Sequence, residues 1–157
     1  MATARTLSPA AELARPKQDN VKEVRALIDG WIAALHDKDA GRVMSHGTGD
    51  MVQFALAPPL TADNDGPYGL KGWFATWTSP IQYELRDLEI AAGDDVAFSH
   101  GLVHMTGTRT DGESTDVWFR STLGFRKAGG EWKIAHEHES VPFLMDGSDK
   151  AALDLKP

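Results

Sequence analysis

The chain has 157 residues, no cysteine and a formal net charge of −7, from 23 acidic and 16 basic side chains. That length fits one domain with a real hydrophobic core. The acidic balance argues against nucleic acid and anionic membrane surfaces as partners, and the missing thiols exclude disulfides and cysteine catalysis. No apolar run approaches the ~18 residues of a membrane span, so a cytoplasmic protein is expected.

Residues 1–20 are rich in Ala, Pro and charge and read as a flexible arm, with a short helical turn from Pro9 to Ala14. They contain no continuous apolar segment and do not read as a secretory signal. Val21, Val24, Ile28, Trp31 and Leu35 then recur at three- and four-residue steps, and Leu27 and Ile32 widen the stripe. This predicts an amphipathic helix, capped by Asp19 or Asn20. Asp39 is placed to cap a shorter helix that ends near Gly47. A strand is expected over 51–57, stopped by Pro58-Pro59. After a polar loop over 61–66, aromatic residues at helical spacing predict a short helix over 68–77, ended by Ser79-Pro80.

Ile81, Tyr83 and Leu85 alternate, whereas Leu88 and Ile90 alternate in the opposite phase. A bulge near Arg86-Asp87 reconciles them. Gly93-Asp94 turns the chain into a long strand over 96–109, which ends at the hairpin signal Asp111-Gly112. The last hairpin, 113–143, turns at Gly129-Gly130. Setting Phe125 opposite Trp132 puts Leu123 opposite Ile134, Ser121 opposite His136 and Phe119 opposite His138 on one apolar face. The other face then pairs Arg120 with Glu137 and Trp118 with Glu139. Pairing Thr110 with Glu113 adds Phe98, His100, Leu102 and His104 to the apolar face. Residues 147–157 read as a surface tail.

Helices first and a four-strand antiparallel meander afterwards indicate an α+β domain over 21–146, with one helix layer on the concave face of a curved sheet. There is no internal repeat and no second domain.

At this point the chain resembles the SnoaL-like, or ketosteroid-isomerase-like, branch of the NTF2-like superfamily. The residues that carry the resemblance are WIAALHDKDAGRV, FALAPPL, YELRDLEIAAGDDVAFSHG, WFRSTLGFRK and GEWKIAHEHESVPF. The resemblance implies a cone-shaped α+β barrel with a pocket closed by the helices, and frequent dimerisation through the outer sheet face. It says less about activity, because one cone hosts isomerases, cyclases, dehydratases, hydrolases and binders. Ketosteroid isomerase chemistry needs a carboxylate base, a Tyr and a protonated Asp. By resemblance those roles fall at Ala55, Trp31 and Ser121, and none of the three chemical groups is present.

The histidines remain as candidates. In the register above His136, His138, His100 and His104 all face the apolar cavity, where imidazole serves as a general base. No metal-binding spacing such as HExxH occurs, and no cofactor is expected. Trp31, His46, Phe54, Tyr68, Trp73, Phe119 and Ser121 are the expected lining for a small apolar or ring-bearing molecule. Trp118, Arg120, Glu137 and Glu139 are expected on the outer face as a homodimer contact. Two classes stand: an isomerase or lyase that moves protons through histidine, and a non-catalytic binding module.

Overall fold

The computed structural model describes residues 18–62 and 69–157. The arm as far as residue 17, its expected turn at Pro9–Ala14, and Tyr68 lie outside the described residues. The first helix, α1 (Gln18–His36), buries Val24, Ile28, Trp31, Ala34 and Leu35 along the expected stripe. It begins ahead of Asn20, which is therefore not its cap. Asn20 is buried instead, and its Nδ2 donates to the Gly93 carbonyl at 2.7 Å, tying the helix to a sheet turn. Asp39 does cap α2 (Ala40–Ser45), accepting from the Arg42 amide at 3.0 Å.

Five strands and one short helix complete the domain: β1 (Gly47–Phe54), α3 (Leu70–Phe74), β2 (Gln82–Ala92), β3 (Val96–Thr108), β4 (Ser114–Ala128) and β5 (Glu131–Ser140). The sheet order is β1-β5-β4-β3-β2. The expected meander forms β2 to β5, and β1 adds to its end by pairing parallel with β5. The bulge expected near Arg86-Asp87 is present: the β2–β3 register shifts between Arg86 and Glu89. Ala152 donates to the Pro142 carbonyl at 2.8 Å and is buried, so the tail folds back along the end of β5 and leaves Leu153 and Leu155 exposed. Among the described residues no helix is long and apolar enough to cross a membrane.

Two local features decide which side chains face the helices, and both depart from the expected register. At the β3–β4 turn, Thr108 pairs with Ser114 and Arg109 accepts back from Gly112, giving a three-residue loop rather than the two-residue loop that Asp111-Gly112 suggests. Gly112 takes the positive φ, +84°, that closes such a loop. The one-residue difference moves Ala97, Ser99, Val103 and Met105 inward. Phe98, 52% exposed, and His100 and His104 turn outward with Leu102.

The second feature is a bulge in β5. Phe125 pairs with Ile134 and Gly124 with His136, while β1 goes from a partner at Ile134 to one at His136. Both ladders therefore skip Ala135. Gly124 sits opposite, where an added Cβ would lie 3.3 Å from the His136 Cβ, so the close approach suits a residue without one. Ahead of the bulge, Trp132 and Ile134 face inward as expected, but the pairing is shifted by two residues: Ile134, not Trp132, stands opposite Phe125, and Trp132 stands opposite Lys127. Beyond it the phase reverses. Glu137 and Glu139 enter the interior, and His136 and His138 leave it. The inner face of β4 is as expected: Val117, Phe119, Leu123 and Phe125 are all buried against the α1 stripe. Burial of this kind stabilises by roughly 1.5–3 kcal/mol per large side chain.

Candidate functional site

A cavity of about 520 Å³ lies between α1, α2, β1 and the concave face of the sheet. Trp31 and Leu35 line it from α1, Met51, Gln53 and Ala55 from β1 and the residues after it, and Leu70 and Trp73 from α3. Tyr83, Met105 and Ile134 line it from the sheet, together with Glu137 and Glu139. The walls are thus mainly apolar and aromatic, with a small number of polar groups, as in most small-molecule sites. Among the described lining residues there is no Lys, Arg or His.

The polar groups converge. Glu137 is 2% exposed. It accepts a short hydrogen bond from the Gln53 side-chain amide and is hydrogen-bonded to Glu139. Glu139 accepts from the Tyr83 hydroxyl at 2.9 Å and from the backbone N–H of Leu56. Two carboxyls alternate onto the same side of one strand, so their charges repel in a dry setting. Burial, and then the neighbouring Glu139, push the Glu137 carboxyl well above its ordinary range. Burial also raises Glu139, less strongly, because the Tyr83 hydroxyl, Glu137 and the Leu56 amide all stabilise its charge. Both shifts oppose a doubly ionised pair, and Glu139, with more donors around it, is the better placed of the two to carry charge while Glu137 is the better placed to keep a proton. Tyr83 is held in its phenol form by burial and by the two acids.

The sequence-predicted residues divide. Trp31 and Trp73 line the cavity as expected. Phe119 is 2% exposed and lies behind the wall, its ring 5.7 Å from Tyr83. Ser121 stands opposite Glu139 on β4 without reaching the cavity wall. Phe54 turns to the outer face, where its ring meets His136 at 5.1 Å and His138 at 5.5 Å. His46 donates its Nδ1 proton to the Arg42 carbonyl at 2.6 Å, lies against Gly30 and is not among the residues that line the cavity.

All four sheet histidines are outside. His136 donates from Nδ1 to the Val52 carbonyl at 2.9 Å. His104 stacks on Trp118 at 4.5 Å and bonds Asp116 at 2.7 Å, holding that carboxyl below its usual range. His100 is exposed, 3.9 Å from a Glu89 oxygen. On the same face Arg120 donates to Ser140 at 3.1 Å, not to Glu137. Trp118 and Arg120 are outer residues as expected, whereas Glu137 and Glu139 are not. No group of three or more His, Asp or Glu side chains among the described residues could hold a metal ion.

Sequence reasoning thus missed Glu137, Glu139, Gln53 and Tyr83 as a group. One signal was available: Gly124 in the interior of an otherwise well-formed strand is a mark of a bulge, and a bulge reverses the faces beyond it.

Residues 24–144 match the SnoaL-like domain family. An NTF2-like protein of unknown function from Pseudomonas putida KT2440 is 31% identical, with 91% of this chain and 100% of that one covered and a TM-score of 0.75. A candidate dehydratase of the NTF2-like family from Streptomyces avermitilis shares the fold at 17% identity, covering 83% and 99% with a TM-score of 0.68. A candidate ketosteroid isomerase from Shewanella frigidimarina NCIMB 400 does so at 20% identity, covering 73% and 92% with a TM-score of 0.59. No curated protein matches the sequence.

Proposed function

The chain belongs to the SnoaL-like domain family of the NTF2-like superfamily, and from that premise we propose that it is a small-molecule isomerase or lyase whose proton transfers run through Glu139 and Glu137. The observation that carries this reading is the pair itself: two hydrogen-bonded, buried carboxyls in unlike surroundings on the wall of a mainly apolar cavity. Neighbouring carboxyls with separated proton affinities supply a base and an acid at one pH. The Glu139 carboxylate removes a proton from the carbon next to a substrate carbonyl. The electron pair of that C–H bond forms the carbon–carbon double bond, and the carbonyl oxygen takes the proton of Glu137. Glu139 then returns its proton to the far carbon of an adjoining double bond, the enol gives its proton back to Glu137, and the carbonyl re-forms, which completes an isomerisation. In a dehydration Glu139 instead gives its proton to the hydroxyl leaving the next carbon as water, while the enol returns its proton to Glu137 and the carbonyl re-forms. Tyr83 and Gln53 keep the two acids distinct by donating to one each.

Exchange with solvent tests this directly. The protein in D2O should wash out the α-protons of 4-phenyl-2-butanone, followed by proton NMR, and Glu139→Gln should abolish the wash-out. Exchange that persists in Glu139→Gln would refute the assignment.

Binding without turnover is the second reading. It is favoured by the commitment of the Tyr83 hydroxyl and the Gln53 amide to the glutamates, which leaves Glu137 as the side-chain acid of the network available to an enolate oxygen. Wild-type protein that binds the ketone but exchanges no proton supports that reading.

A further inference from the structure

Among the described residues the buried pair Glu137 and Glu139 has no cationic partner. A buried carboxylate in a folded protein is normally paired with a cation or coordinated to a metal, because the cost of removing it from water is otherwise only partly offset. Glu139 has hydrogen-bond donors around it, from Tyr83, Glu137 and the Leu56 amide, but these are neutral. Among the described residues no cationic side chain reaches the cavity wall. The segment between lining residues Ala62 and Leu70 cannot supply one either, since residues 63–68 read DNDGPY. The walls around the two acids include Trp31, Trp73 and Tyr83, whose ring faces attract cations and do not attract anions. A metal ion is poorly served by this set: two carboxyls on a wall of a 520 Å³ apolar space, with no third His or acidic ligand grouped with them among the described residues.

We infer that the missing counter-ion is the ligand, and that the cavity selects small organic cations, molecules with a protonated or quaternary nitrogen beside an apolar or aromatic body. The nitrogen is placed against the Glu139 carboxylate and the indole faces of Trp31 and Trp73. Carboxylate-bearing molecules of the same size are rejected by like charge. This rests on the reading of Glu137 and Glu139 as the working centre of the site and names the substrate class that centre takes.

Three probes matched in ring and size decide it: benzyltrimethylammonium, 4-phenyl-2-butanone and 3-phenylpropionate, titrated calorimetrically into the full chain at pH 7.5. The cation should bind about tenfold more tightly than the ketone, and the phenylpropionate should not bind. Glu139→Gln should remove the preference for the cation, bringing its affinity to within about twofold of the ketone's in the same variant. A second measurement needs no variant. The charge of benzyltrimethylammonium does not titrate, so its affinity should rise between pH 5 and pH 8 as the acid pair gives up protons. Ketone or phenylpropionate binding as tight as that of the cation, no binding by any probe, a preference that survives Glu139→Gln, or an affinity independent of pH would each overturn the inference. Loss of charge selectivity with glutamate-dependent proton exchange retained would sink this inference alone. Cation selectivity without exchange would sink the proton-transfer reading alone.

Discussion

Tyr83 and Glu139 meet through a 2.9 Å hydrogen bond although two other strands lie between theirs in the sheet. Neighbouring strands are about 4.8 Å apart, so β2 and β5 in a flat sheet would be separated by roughly 14 Å, beyond the reach of a tyrosine and a glutamate pointing the same way. The contact therefore measures the curl of the sheet around the cavity. It also explains why Phe119 stays near Tyr83 on the inner face: the aromatic pair fills the hollow of the curve beneath the hydrogen bond.

The acid pair makes stability depend on pH. Burial raises the Glu137 carboxyl well above its unfolded value and raises Glu139 as well. A raised group contributes stability that is fully present below its unfolded pKa, near 4.5, and is lost as pH rises through its folded value. Over that window the folded state binds more protons than the unfolded one, and stability falls by up to about 1.4 kcal/mol per pH unit for each proton in excess. Denaturant titrations at pH 5 and pH 8 should show wild type losing stability on the alkaline side. Glu137→Gln should lose clearly less, because a neutral amide cannot be forced to ionise in the interior. An equal loss in both proteins would show that Glu137 does not carry the effect.

The outer histidines should be dispensable for the site. His136→Ala and His138→Ala each remove a side chain from the convex surface, His136 with one hydrogen bond to Val52. The expected cost is about 0.5–1.5 kcal/mol for the bonded residue and less for the other. Proton exchange and ligand affinity should match wild type. A large loss of either, with stability intact, would return the histidines to the site.

Phe119→Ala should cost about 3–5 kcal/mol, the usual penalty for emptying a fully buried aromatic position. Because Phe119 backs Tyr83, the variant should also loosen the Tyr83–Glu139 contact, and any remaining folded protein should bind ligand more weakly. Chemical denaturation together with the same calorimetric titration checks both parts.

The outer sheet face leaves Phe98 52% and Phe54 36% exposed and also carries the half-buried Trp118. Apolar and aromatic surface of this kind, rimmed by charge, marks interfaces, so we expect a homodimer through this face. Trp118 and Arg120 contribute to it; Glu137 and Glu139, which point into the cavity, do not. Sedimentation of the wild-type chain should give a dimer, and Trp118→Glu should shift it toward monomer. A monomer at high micromolar concentration would end this expectation.

The sequence by itself determined the elements and their order. The stripe from Val24 to Leu35 can only bury itself as a helix face. Likewise, the alternation from Val117 to Phe125 can only do so as a strand over a core, and Asp39 and Gly129-Gly130 mark a helix start and a turn by backbone chemistry alone. Trp31 and Trp73 were legible as cavity residues for the same reason: their faces follow from helical spacing. What only the tertiary structure decided is the phase of the strands. A strand has a period of two, so one added residue reverses every side chain beyond it at no cost in local propensity. The third residue of the loop closed by Gly112 sent His100 and His104 outward, and the unpaired Ala135 exchanged His136 and His138 for Glu137 and Glu139. Nothing in residues 131–140 taken alone distinguishes HEHE with its histidines inward from HEHE with its glutamates inward. The choice is made by partners distant in sequence, Gly124, Gln53 and Tyr83, which accommodate the bulge and provide the hydrogen bonds that let two acids be buried there.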